Sequence, residues 1–172
     1  MLSYSLKAND WNQKKLLPEK KLLDPDIDKN LKFYPGMETS ILQSPDQFHF
    51  LHETAIAEYH GVLFSAWYNC EEKELSGYTP IRGRRSYDKG KSWTPVEILA
   101  EGPQRNMLYC PPSFGICDDV LYLMLNTMTE FDCIHSLDIY RYEESAGTFF
   151  KIRSSPIPFK LNTNVYPLPN GK

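Results

Sequence analysis

The eight residues Ser86-Tyr87-Asp88-Lys89-Gly90-Lys91-Ser92-Trp93 constrain this chain more than any other stretch. In the pattern Ser-x-Asp-x-Gly-x-x-Trp, the serine and aspartate oxygens accept backbone N–H bonds of a tight turn. The glycine takes the positive φ that the turn needs, and Trp93 folds back over the hairpin as a buried anchor. Strand-like runs flank this turn, Tyr78 to Arg85 before it and Thr94 to Leu99 after it, the second with Pro95 at a sheet edge. Upstream, His52 to Tyr59 and Val62 to Tyr68 enclose the two-residue turn His60-Gly61. The four runs predict one four-stranded antiparallel sheet.

The pattern then recurs, as a repeat protein requires. Leu108 to Ile116, Asp119 to Leu125 and Ser136 to Tyr142 stand where the first three strands stood, followed by the turn Glu143 to Phe150. Superposing Gly147 on Gly90 sets a period of 57 residues (147 − 90 = 57) and places Phe150 over Trp93 and Ser145 over Asp88, so the second turn has lost its aspartate. A third copy begins at Asn164 to Leu168, with Pro169-Asn170-Gly171 as its hairpin turn. The expected organisation is an irregular N-terminal segment or closing strand over 1–47, a blade over 48–101, a second over 106–158 and a stub over 159–172. The fold class is all-β: a partial β-propeller of four-stranded antiparallel blades, about two of them plus the start of a third.

Composition agrees with this. Thirteen prolines, eleven tyrosines and nine phenylalanines in 172 residues favour strands and turns over long helices. A net charge of −3 and a pI near 5.8 supply no cationic field, which argues against nucleic acid and anionic membranes as partners. Cys70, Cys110, Cys117 and Cys133 show no CxxC spacing and no nearby His pair, so reduced thiols are expected and no metal site. With no phosphate-cradling glycine loop or nucleotide motif, no cofactor is expected. No apolar run reaches the length of a membrane span, and none before Asn30 is long enough for a signal peptide. The expected location is the cytoplasm, unless a leader lies outside this chain.

Ser86, Asp88, Gly90 and Trp93 fill all four signature positions of the Asp-box, or BNR repeat, and over residues 48 to 172 the chain resembles the sialidase-like six-bladed β-propellers. The resemblance implies that the box lies on the outer rim as a structural device, while chemistry sits on the propeller axis, lined by the first strand of each blade. His52, Glu53, Tyr109, Ser113, Asn164 and Tyr166 then become channel candidates. The loops after the second strands add Asn69, Glu71, Glu72 and Glu74, and Asn126, Thr127, Glu130 and Asp132. Two blades and a stub imply an N-terminal fragment of the ring, whose open strand edges favour self-association or assembly with a missing half.

Sialidases hold the sugar carboxylate with three arginines, protonate the leaving group with an Asp and attack with a Tyr activated by a Glu. Counted from the hairpin turn, the Arg-Ile-Pro motif of the first arginine falls on Glu53-Thr54-Ala55, where an acid would repel that carboxylate. The region of the acid/base Asp reads Glu74 to Tyr78 and contains no Asp, so Glu74 is the substitute. The catalytic candidates are Glu53, His52 and Glu74; the substrate-binding candidates are Arg82, Trp67, Tyr109, Asn126, Asn164 and Tyr166. Plainer roles stand beside these: His52 and Glu53 as a pair fixing the strand, Arg82, Arg84 and Arg85 as a solvated surface, and one of Trp67 and Tyr68 as core while the other stacks on a sugar. The function this implies is a fragment of an exo-sialidase-like glycoside hydrolase acting on terminal sugars of glycans. The alternatives are a non-catalytic carbohydrate-binding or scaffold propeller, or an inactive truncated product. In the first two readings the ligand is a carbohydrate, and with the first arginine replaced a neutral or differently charged sugar is as well accommodated as sialic acid.

Overall fold

The computed structural model describes residues 41–103, 107–129, 133–157 and 160–166. The expected irregular segment lies outside the described residues as far as residue 40, as do Glu130, Asp132 and the turn Pro169-Asn170-Gly171. Eight strands account for the regular structure among the described residues: β1 (Phe50–Tyr59), β2 (Val62–Cys70), β3 (Ile81–Ser86), β4 (Glu97–Ala100), β5 (Leu108–Cys117), β6 (Val120–Met128), β7 (Ile134–Glu143) and β8 (Thr148–Ser155). They form two four-stranded antiparallel sheets, each meandering in sequence order. Among the described residues no helix is long and apolar enough to cross a membrane.

The two sheets are copies down to their irregularities. His60 and Gly61 both carry positive φ (49° and 78°), as do Asp118 and Asp119 (49° and 59°), the signature of the two-residue turn whose twist matches its strands. The first strand of each sheet is bulged, between His52 and Ala55 in β1 and between Tyr109 and Pro112 in β5, positions 57 residues apart (109 − 52 = 57). In each case two residues oppose one on the partner strand, which bends the strand and re-aims its side chains. Gly83 lets β3 lie close to β2, since a methyl there would collide with the Ser65 carbonyl oxygen and sit 2.6 Å from Leu99 Cδ1.

The turn after β3 closes through its side chains. Ser86 Oγ accepts the Gly90 N–H at 2.7 Å and donates to Asp88 Oδ1 at 2.8 Å, while the Asp88 carboxylate accepts the N–H and the hydroxyl of Ser92 at 2.8 and 2.6 Å. Trp93, expected to be buried, is half-buried. The following strand starts three residues later than Thr94, because Arg85 and Thr94 bond to each other across the turn and Pro95 breaks the ladder. In the second turn a main-chain carbonyl, that of Glu143, takes over from the serine and accepts the Gly147 N–H at 2.8 Å. The aromatic that packs there is Phe149, and Phe150, expected over Trp93, is half exposed.

The core lies between the sheets. Leu121, Leu123, Leu125 and Phe114 from the second meet Phe64, Ala66 and Tyr68 from the first. Burying each of the large side chains contributes about 1.5–3 kcal/mol. Aromatic rings interlock across the seam, Phe64 edge-on to Tyr142 at 5.0 Å and to Phe149 at 6.3 Å. Residues 164–166 do not extend either sheet: Val165 makes a single parallel bridge to Gly115, with its N–H on the Phe114 carbonyl at 2.8 Å.

Candidate functional site

The bulges of β1 and β5 and the segment 162–166 wall a cleft of about 490 Å³, lined by Glu53, Thr54, Pro111, Asn162, Thr163 and Tyr166 among others. Its acid is Glu53. This residue is the first of the bulge in β1 and sits at φ 48°, in the left-handed region that non-glycine residues adopt at a cost. One carboxylate oxygen of Glu53 accepts the Cys110 thiol at 3.1 Å, so the bulge of one sheet is tied to the bulge of the other. Burial, followed by that carboxylate, pushes the Cys110 thiol up to about 12. The thiol is therefore a hydrogen-bond donor to Glu53 and not a nucleophile at neutral pH.

His52 points elsewhere. Its Nδ1 lies 3.2 Å from the Tyr68 hydroxyl, and the phenol donates to Glu74 Oε1 at 3.1 Å. With the phenol proton given to Glu74, Nδ1 is the donor toward the phenol oxygen. Tyr68 is fully buried, and desolvation raises its phenol well above the ordinary range, with the Cys110 thiol and the carboxylates of Glu74 and Glu53 adding to it. His52 and Glu74 are both half exposed over this hydroxyl, 3.9 Å apart. The structure thus joins two of the three catalytic candidates through a tyrosine and gives the third to the cleft. Alternation along β1 already sends the adjacent pair His52–Glu53 to opposite faces, and the bulge that begins at Glu53 re-aims its side chain; no residue type in this stretch announces that bulge.

The substrate-binding candidates divide. Tyr166 is exposed on the cleft. Asn164 lines it, but its amide is committed: Oδ1 accepts the Phe114 N–H and Nδ2 donates to the Ile56 carbonyl, both at 2.8 Å, stapling the first strands of the two sheets. Asn126 is buried and pairs both amide groups with the backbone of Leu161. Tyr109 is buried, its hydroxyl shared by Asp138 at 2.8 Å and Tyr140 at 2.9 Å. Trp67 and Tyr68 are both core, so neither is placed to stack on a sugar. Arg82, expected on a solvated surface or at an anion site, is 4% exposed. It grips Asp46 with two N–H bonds of 2.7 and 3.1 Å, donates to Asn69, and lies 4.5 Å over the Phe48 ring. That guanidinium holds the Asp46 carboxyl below its usual range. Arg85 is also enclosed, between Glu97 and the Gly147 carbonyl of the second sheet.

The four cysteines are free, Cys70 and Cys110 buried and Cys117 and Cys133 exposed. Among the described residues no group of three His, Cys, Asp or Glu side chains converges as a metal site would need. No protein-family model matches the chain, and no curated protein matches it. Among solved structures it is similar to a mutant of Trypanosoma rangeli sialidase displaying trans-sialidase activity, at 12% identity and a TM-score of 0.50. The likeness covers 72% of this chain and 25% of that one, so this chain spans about a quarter of the sialidase's length. At that identity the likeness speaks for the fold. Together with two copied antiparallel sheets, it makes the described chain a sector of a sialidase-like β-propeller.

Proposed function

We propose that the cleft at the bulges of β1 and β5 is a sugar site on the propeller axis, and that the complete ring is a glycoside hydrolase acting on a terminal sugar, with Glu53 as its carboxylate on this sector. The observation that carries the reading is the backbone of Glu53: a glutamate held at positive φ on a bulge, its carboxylate at the cleft and fixed by a thiol donor. Strain of this kind persists where the surrounding structure over-determines it, and it clusters at functional sites. Hydroxyl and amide groups at Thr54, Thr163 and Asn162 suit a polyhydroxylated ligand, and among the described lining residues there is no arginine to hold a sugar carboxylate. A neutral terminal sugar fits this lining better than sialic acid. The turn Ser86 to Trp93 serves as an Asp-box, a rim device away from the chemistry.

The test is hydrolysis of chromogenic glycosides of galactose, glucose, N-acetylglucosamine and sialic acid by the full-length protein and by Glu53→Gln. Turnover of a neutral glycoside, lowered at least a hundredfold in the variant, is the expected outcome. Equal turnover by the variant removes Glu53 from the mechanism. A second reading, a non-catalytic sugar-binding propeller, is favoured by the burial of Tyr68, which keeps the phenol of the His52–Tyr68–Glu74 cluster from substrate. Binding across the panel without turnover would decide for it.

A further inference from the structure

The cleft does not end at its polar lining. It runs on into a second groove of about 260 Å³ between β1, β5 and the segment 164–166, and the two share Ile56, Asn164 and Tyr166. The character of the wall changes along that path. At the Glu53 end it offers a carboxylate, hydroxyls and an amide; at the other it offers Ile56, Ile116, Val165 and the Tyr166 ring, which are 49%, 36%, 47% and 71% exposed. Large apolar side chains left in water along one groove mark a surface that is covered in use, and the groove's continuity with the cleft through Ile56, Asn164 and Tyr166 points to the same ligand as its cover.

The groove is built and not incidental. Gly115 favours it: a Cβ there would lie 3.0 Å from Met124 Cε and 3.3 Å from Val165 Cβ, tighter than side chains ordinarily pack, so the missing side chain lets Val165 seat against β5 without a shift. Asn164 forms the ridge between the halves and is locked to Phe114 and Ile56 at both ends of its amide. It therefore shapes the path without offering a free polar group. Glu58 stands on the groove's lining and disfavours an anionic occupant there.

We infer that the ligand of this cleft is a glycoside with an apolar aglycone, its sugar over Glu53 and its short alkyl chain or aromatic ring against Ile56, Val165 and Tyr166. The inference rests on the sugar-site reading above and specifies the part of the ligand that reading leaves open. A second sugar ring in the groove would leave its hydroxyls facing Ile56 and Val165 unpaired, a loss that apolar carbon does not incur.

The experiment titrates the full chain with methyl and octyl glycosides of galactose, glucose and sialic acid, below micelle formation, with 1-octanol as a sugar-free control. The octyl form of the preferred sugar is expected to bind at least about tenfold tighter than its methyl form, which burial of two methylenes supplies. Ile116→Ser and Val165→Ser, which line the groove and not the sugar cleft, are expected to remove that advantage and leave methyl glycoside binding unchanged. Equal affinity of the methyl and octyl forms overturns the aglycone inference and leaves the sugar site standing. Octanol binding as tightly as the octyl glycoside, or no binding by any glycoside, overturns both.

Discussion

Glu53 carries two burdens that a neighbouring residue type would not. It holds a left-handed backbone conformation, and it presents a carboxylate to the cleft between the bulges of β1 and β5. If the acid is kept there for the ligand, the fold is expected to prefer a glycine. Glu53→Gly should be about 1 kcal/mol more stable than Glu53→Ala, which loses the same carboxylate and thiol bond but keeps the strained φ, seen as a higher urea midpoint, while sugar binding is lost in both. Equal midpoints for the two would mean that the backbone at this position carries no strain worth relieving. Glu53 and His52 were legible as polar residues on a first strand. Alternation alone sets the two on opposite faces; where Glu53 points was not legible, because the bulge that begins at it depends on how β1 registers against β2. Tyr68 was legible as a large aromatic, and only its pairing with Glu74 and His52 in space makes it part of a polar cluster.

At the level of elements, the turns were the most readable feature and the sheet faces the least. The turn Ser86 to Trp93 announces itself because its bonds are local, all within four residues. Its acid has a measurable consequence. Hydrogen bonds from the Ser92 side chain and backbone, then from Ser86, hold the Asp88 carboxyl at about 2, below its ordinary value. A depressed acid stabilises the fold above the unfolded-state pKa, roughly 3.9, and that contribution is lost as pH falls through about 2. Asp88→Ala is therefore expected to lower the urea midpoint at pH 6 and to narrow its gap from the parent between pH 4 and 2. An unchanged gap over that window would detach the turn's stability from its carboxylate. The face of β3 misled for the opposite reason: Arg82 reads as solvated from its own strand, but Asp46 and Phe48, 36 and 34 residues away (82 − 46 and 82 − 48), close over it. Charge on a strand does not reveal which segment will cover it.

For the molecule as a whole, the repeat of 57 residues was visible and the seam between its copies was not, since the contacts that join two sheets leave no local pattern. Part of that seam is a histidine clasp. His60, at the tip of the β1–β2 hairpin, faces Asp119 across 3.0 Å through Nε2 and Glu144 across 2.7 Å through Nδ1, both on the second sheet. Tyr59 stacks on the imidazole at 3.9 Å and donates its hydroxyl to the Asp119 carbonyl at 2.9 Å. Both nitrogens facing carboxylates favour the imidazolium, and His60 is raised above its ordinary value, first by the bond to Asp119 and next, against the opposing effect of desolvation, by that to Glu144. A raised histidine contributes stability that is fully present below its unfolded-state pKa, about 6.5, and is lost as pH rises through the folded value above it. The urea midpoint of the parent is thus expected to fall between pH 6 and pH 8.5, with His60→Gln lower than the parent at pH 6 and nearly level with it at pH 8.5. Because the clasp spans the seam, hydrogen-exchange protection factors in the β1–β2 and β5–β6 hairpins should fall over the same pH range in the parent and be already low in the variant. A parent whose midpoint is flat across that range would show that the two sheets hold together through the interlocked rings of Phe64, Tyr142 and Phe149, with His60 a bystander at the rim.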